Sequence, residues 1–188
     1  MFYVLARLFC KLILVVFFRF RVYGLKNIPR AGGFILAGNH ISYLDPPAFG
    51  AACVRKLGYM ARESLFRPAW FAWVLHHSNV FRVRRGETDI AAIRETFRRL
   101  KEGTGVLIFP QGTRSVDVAE VQSGVGFLAR KSGVPVVPAY CEGTDIALPR
   151  GSKKVRFVPV RVIFGEPIVF QKENPLSDEA FASELMRR

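Results

Sequence analysis

The sequence is short of acid, cysteine and histidine. Only 15 of its 188 residues are Asp or Glu, against 28 Lys or Arg, which leaves a formal net charge of +13. Its three cysteines, Cys10, Cys53 and Cys141, lie far apart without a C-x-x-C pair, which speaks against a disulfide framework or a thiolate zinc site. The three histidines, His40, His76 and His77, form no H-E-x-x-H pattern, so no metal is expected. There is no long polar tract, and a chain that is 50% apolar with 17 Phe does not fit intrinsic disorder. The 16 Gly and 11 Pro follow no period, which excludes collagen and repeat architectures. A phosphate-binding G-x4-G-K-[ST] loop is absent, and so is the G-x-S-x-G elbow of a serine hydrolase. The length suits one domain with its own core.

The positive charge is unevenly spread. Residues 1–62 carry nine Lys or Arg and a single acid, Asp45. An excess of cations attracts polyanions, whether nucleic acid, an anionic membrane or phosphorylated substrates. This excess lies beside the most apolar stretch, residues 2–18, which favours a membrane. Arg7 and Lys11 are the only charges in that stretch, spaced i, i+4 on one helical face. It is slightly short of the roughly 20 residues a spanning helix needs. An interfacial or half-inserted helix, a single span and a core helix are the three readings, the first preferred. No A-x-A site follows, which argues against a cleaved signal peptide. Trp70 and Trp73 sit in a second apolar patch, either interfacial or core.

Beyond residue 20, short apolar strands alternate with helical stretches. Strands are expected at Phe34–Ala37, Leu57–Ala61, Asn79–Val83 and Val106–Phe109, with β-rich runs at Val134–Tyr140 and Val155–Phe164. Helices are expected at Asp45–Val54, with Asp45 as N-cap and Pro46 at N1, at Ser64–Leu75, and at Asp89–Lys101, with Ile90, Ile93, Phe97 and Leu100 on one face. Two more are expected at Glu120–Lys131 and Ser177–Arg188. The pattern predicts an α/β fold: a single domain with a largely parallel central sheet flanked by helices, over residues 21–188, plus an N-terminal membrane-associated helical segment at 1–20.

Three blocks carry candidate chemistry. In Gly38-Asn-His-Ile-Ser-Tyr-Leu-Asp45, directly after a strand, Asp45 can accept the Nδ1–H of His40 and leave Nε2 free as a base. The alternative is that Asp45 merely caps its helix. No partner nucleophile is evident, so His40 would activate a substrate hydroxyl directly. In Phe109-Pro-Gln-Gly-Thr-Arg-Ser115, again after a strand, Gly112 permits close backbone approach, Thr113 and Ser115 add hydroxyls, and Arg114 is a fork-shaped phosphate donor. In Val80-Phe-Arg-Val-Arg-Arg-Gly86, alternation puts Arg82 and Arg84 on one face, with Arg85 at the strand end. These arginines form either a phosphate clamp with Arg114 or a solvated edge. The stretch Val134-Pro-Val-Val-Pro-Ala-Tyr140 reads as core, edge or the wall of an acyl channel.

With H-x4-D, the Arg-rich block, F-P-x-G-T-R-S and V-P-x-V-P in that order, the chain resembles the lysophosphatidic acid acyltransferase family of glycerolipid acyltransferases, over about residues 20–170. The resemblance implies that His40 is the general base and Asp45 its orienter. The reaction would be acyl transfer from a thioester, acyl-CoA or acyl carrier protein, to the sn-2 hydroxyl of lysophosphatidic acid. It implies that Arg84, with Arg85 adjacent, and Arg114 hold the acceptor phosphate, that Gly112 and Thr113 belong to the third motif, and that Pro138 serves acyl handling. It also implies a bilayer-anchored enzyme at the cell membrane with its site at the cytoplasmic face. Its co-substrate would be the thioester, and it would need no further cofactor and no nucleic acid. Gln111 departs from the family pattern, which usually has Glu there, so the carboxylate is lost while hydrogen-bonding capacity remains. A related acyltransferase with another acceptor is the nearest rival. A non-catalytic basic module for lipid or nucleic acid is the rival from a different class, but it has no use for the His40–Asp45 pair.

Overall fold

The computed structural model describes residues 1–84, 89–110 and 118–170, with the backbone alone for 118–123. Arg85, the Gln111–Arg114 segment and the expected helix at Ser177–Arg188 lie outside the described residues. Helix α1 (Phe2–Phe18) leads into strand β1 (Arg21–Tyr23). There follow β2 (Phe34–Gly38), α2 (Asp45–Ala52), β3 (Leu57–Arg62), α3 (Ala69–His77), β4 (Val80–Val83), α4 (Ile90–Lys101), β5 (Gly105–Ile108), α5 (Val118–Ser132), β6 (Val136–Glu142), α6 (Thr144–Ala147) and β7 (Arg161–Phe164).

The strands form one sheet in the order β1-β7-β6-β2-β5-β3-β4. From β6 to β4 all neighbours are parallel. β7 runs antiparallel to β6, and β1 follows β7. The fold is therefore α/β with a mostly parallel sheet, as the alternation of elements predicts. Every residue of β2 is buried, which is why it reads as an unbroken apolar run rather than an alternating one. Phe34 and Leu36 join Phe49 of α2 and Leu14 and Phe18 of α1 in one core. On the other face, Ile35 and Ala37 pack with Ala92 and Leu100 of α4 and Leu128 and Ala129 of α5. Side chains one residue apart thus serve opposite layers, as the two-residue period requires.

Helix α1 packs on the domain with one side only. Leu14 and Phe18 are buried, and Arg7 donates to the carbonyls of Cys53 and Val54 at 3.0 and 3.2 Å, just past α2, where the last helical turn leaves acceptors open. The other side is apolar and bare: Val4, Leu5, Leu8, Phe9, Leu12, Val15 and Val16 are 49–63% exposed. Among the described residues, no helix is long and apolar enough to cross a membrane.

Several local expectations need correction. The helix expected at Ser64–Leu75 is a short 3-10 turn at Glu63–Phe66 followed by α3: Arg67 keeps helical angles, but Pro68, which has no N–H to continue the ladder, is extended and begins α3 as its N-cap. Ile90 is exposed, and the buried residues of α4 are Ala92, Thr96 and Leu100. The β-rich run at Val155–Phe164 is a strand only from Arg161 onward. Asp45 is the first helical residue of α2, with Leu44 as N-cap, so its carboxylate is not a cap and is used elsewhere.

Candidate functional site

Gly38 ends the central strand β2, and its lack of a side chain lets the Phe49 ring close over the strand end: a Cβ there would stand 2.8 Å from two ring carbons. The chain then turns through Asn39 and His40. Asn39 is buried and clasps Cys141 of the neighbouring strand β6, donating to its carbonyl at 2.9 Å and accepting its N–H at 2.7 Å. The loop is therefore tied to the carboxyl end of β6. On its other side, the ring of Phe109, directly after β5, stacks on the His40 imidazole with centroids 4.1 Å apart and planes 19° from parallel. Three adjacent parallel strands converge on this residue at their carboxyl ends, where sheets of this kind hold ligands.

The Asp45 carboxylate is 0% exposed and receives four hydrogen bonds. Oδ2 accepts the main-chain N–H groups of Ile41 and Ser42, both at 2.7 Å, and faces His40 Nδ1 at 3.1 Å. Oδ1 accepts the hydroxyl of Thr144, the first residue of α6, at 2.6 Å. A buried carboxylate needs such partners. An ionised carboxylate can only accept, so the proton on this pair belongs to Nδ1, and the lone pair of neutral His40 is on Nε2. Among the described residues Nε2 has no hydrogen-bond partner, and the ring is 22% exposed. The arrangement is that of a general base with an open nitrogen.

Among the described residues, Ser42 and Cys141 beside this loop are poor covalent nucleophiles. Ser42 is buried, donates its hydroxyl to the Leu148 carbonyl at 2.8 Å and accepts the Leu44 N–H at 3.2 Å. The Cys141 thiol is pushed up to about 12, chiefly by burial, with the Asp45 charge adding to it. It stays protonated at neutral pH, and a thiol in that form is a poor nucleophile.

The predicted cations are distributed more widely. Arg84 directly follows the edge strand β4, three strand positions from β2, or roughly 14 Å across the sheet. Its guanidinium is exposed and lies 3.5 Å from Glu63. Arg82 stacks over the Phe66 ring at 4.9 Å, beside an open depression of about 370 Å³ lined by Glu63, Ser64, Phe66, Arg67 and Arg82. Pro138 is buried in β6, pairs in register with Ala37 of β2, and accepts the Gly165 N–H through its carbonyl at 2.8 Å. Arg85, Gln111, Gly112, Thr113 and Arg114 lie outside the described residues. Thr144, Asn39 and the ring of Phe109 are the site residues that sequence reasoning missed. The rule that ligands gather at strand carboxyl ends points to all three, but Thr144 is 99 positions from Asp45 and no local pattern links them.

The Acyltransferase family model matches residues 19–142. The 1-acyl-sn-glycerol-3-phosphate acyltransferase of Bacillus subtilis is 30% identical over 149 residues, covering 79% of this chain and 73% of that one. The chloroplastic 1-acyl-sn-glycerol-3-phosphate acyltransferase LPAT1 of Arabidopsis thaliana is 28% identical over 182 residues. The chain spans about half the length of that plant relative, 51%. The crystal structure of the 1-acyl-sn-glycerophosphate (LPA) acyltransferase PlsC from Thermotoga maritima superimposes with a TM-score of 0.77 at 28% identity, over 99% of this chain and 80% of that one.

Proposed function

This chain belongs to the Acyltransferase family, and on that premise we propose that it is a 1-acyl-sn-glycerol-3-phosphate acyltransferase, with His40 as its general base. The observation that carries this reading is the buried Asp45 carboxylate. It fixes the Nδ1–H tautomer of His40 and leaves Nε2 open beside the strand ends. Nε2 takes the proton of the sn-2 hydroxyl of lysophosphatidate as its oxygen attacks the thioester carbonyl. The imidazolium formed is stabilised by Asp45. The tetrahedral intermediate collapses, the sulfur leaves, and the imidazolium returns its proton to that sulfur. Transfer is direct from thioester to acceptor, in keeping with the buried Ser42 and the protonated Cys141.

The thioester is acyl-CoA or acyl carrier protein, and no other cofactor is needed. Arg84, Arg85, Gln111, Gly112, Thr113 and Arg114 serve the acceptor, and Pro138 the acyl chain. The bare apolar side of α1, edged by Arg19 and Arg21, rests in the outer layer of a bilayer at the cytoplasmic face of the cell membrane. Lipid substrates would then reach the site laterally. Purified protein in phospholipid vesicles, supplied with lysophosphatidate and acyl-CoA or acyl carrier protein, should release thiol and form phosphatidate. Release with another lysophospholipid and not with lysophosphatidate would move the acceptor assignment, and no release with any acceptor would overturn it.

A further inference from the structure

Arg150 has no part in the motifs that mark this family. It sits in a tight turn after α6, where the Ser152 N–H donates to the Pro149 carbonyl at 3.0 Å and Gly151 takes a φ of 78°, the pattern of a type II turn with Arg150 at its second position. From that fixed turn its guanidinium reaches back to the loop of the proposed base and donates to the carbonyl of His40 itself at 2.7 Å. It is half-buried, and among the described residues no carboxylate pairs with it. The Asp45 carboxylate, the acid closest to this loop, is fully occupied by its own four donors. A guanidinium has five N–H groups in a planar fork suited to phosphate oxygens, and a single carbonyl uses only one of them.

We propose that Arg150 binds a substrate phosphoryl group beside His40. The chemistry fits two sources: the phosphomonoester of the acceptor and a phosphate of the donor's pantetheine arm. This inference rests on the acyltransferase reading above. Bound there, the phosphate supplies a counter-charge to the guanidinium, and the arginine's place beside His40 holds the substrate next to the loop of the base.

The test compares wild-type protein with Arg150→Gln and Arg150→Lys in vesicles, measuring KM for lysophosphatidate and for acyl-CoA separately. Arg150→Gln should raise one of the two KM values by roughly ten- to hundredfold, the loss expected for a charge-assisted hydrogen bond. The other KM and kcat should stay within about threefold, and Arg150→Lys should recover part of the loss. A rise for lysophosphatidate assigns the acceptor phosphate, and a rise for acyl-CoA assigns the donor. A fall in kcat with both KM values unchanged, or an equal rise in both, would mean that Arg150 only braces the loop, and would overturn the proposal. If Arg150→Gln does not fold, phenylglyoxal labelling of wild-type protein replaces it. Glycerol 3-phosphate or CoA should slow modification of Arg150, read by peptide mass spectrometry, and no protection by either overturns the proposal. Absence of wild-type acyl transfer would instead count against the functional reading on which it rests.

Discussion

Replacing Asp45 with Asn separates the charge of the carboxylate from its shape. An asparagine fits the same four partners. Its oxygen must face the N–H groups of Ile41 and Ser42, because an amide NH2 there would meet two donors at 2.7 Å. That orientation also keeps an acceptor on His40 Nδ1, so the open Nε2 tautomer survives. The NH2 then faces Thr144, whose hydroxyl can rotate to accept. Stability should therefore fall by no more than about 1–2 kcal/mol, the scale of one altered hydrogen bond. Asp45→Ala would instead leave several donors unpaired at about 1–3 kcal/mol each. What Asn removes is the attraction between carboxylate and imidazolium. At ~4 Å and an effective dielectric of ~20 this is about 4 kcal/mol. Asp45 is 0% exposed, so solvent screens little of it. At ~1.4 kcal/mol per decade, kcat should fall by about two to three orders of magnitude. The assay is thiol release in vesicles alongside chemical denaturation. A folded Asp45→Asn protein that keeps kcat within about threefold of wild type would refute the electrostatic reasoning.

Two further perturbations follow from the same geometry. Thr144→Val keeps the side-chain volume but strips the donor from Oδ1, and should lower unfolding free energy by about 1.5–3 kcal/mol and kcat by roughly tenfold. Thr144→Ser should restore both, and a Val variant equal to wild type in kcat would remove Thr144 from the site. Gly38→Ala forces a methyl to within 2.8 Å of the Phe49 ring at the root of the His40 loop and should cost about 1–3 kcal/mol, read as a lower denaturation midpoint. An unchanged midpoint would mean the ring yields freely.

The parts of the fold legible in the sequence were those fixed by local pattern. β2 and β5 are covered on both faces, so each appears as a short unbroken apolar run between breakers. The His40–Asp45 spacing lies within one loop and needs no tertiary knowledge to be seen. Pro68 was visible too, but Leu65-Phe66 before it and the apolar run after it read together as one helix. Asp45 looked like a cap because a cap and an orienting carboxylate have the same sequence signature. The folded geometry separates them: Leu44 is the N-cap, and the Asp45 carboxylate accepts from Ile41, Ser42 and Thr144 and faces His40. The hold of Arg150 on His40, across 110 residues, is likewise made by the β2–β6 pairing and not by any motif. The bare side of α1 was legible as an apolar helix, whereas which side would pack depended on Leu14 and Phe18 meeting α2.

The most direct measurement is acyl transfer by the His40→Ala variant in vesicles, taken with its unfolding curve. The imidazole is partly exposed and the Asp45 carboxylate keeps its other three partners, so the variant should fold. Loss of a general base should lower turnover by about 10²–10⁴. Turnover near the wild-type rate from a folded His40→Ala protein would contradict the account at its centre.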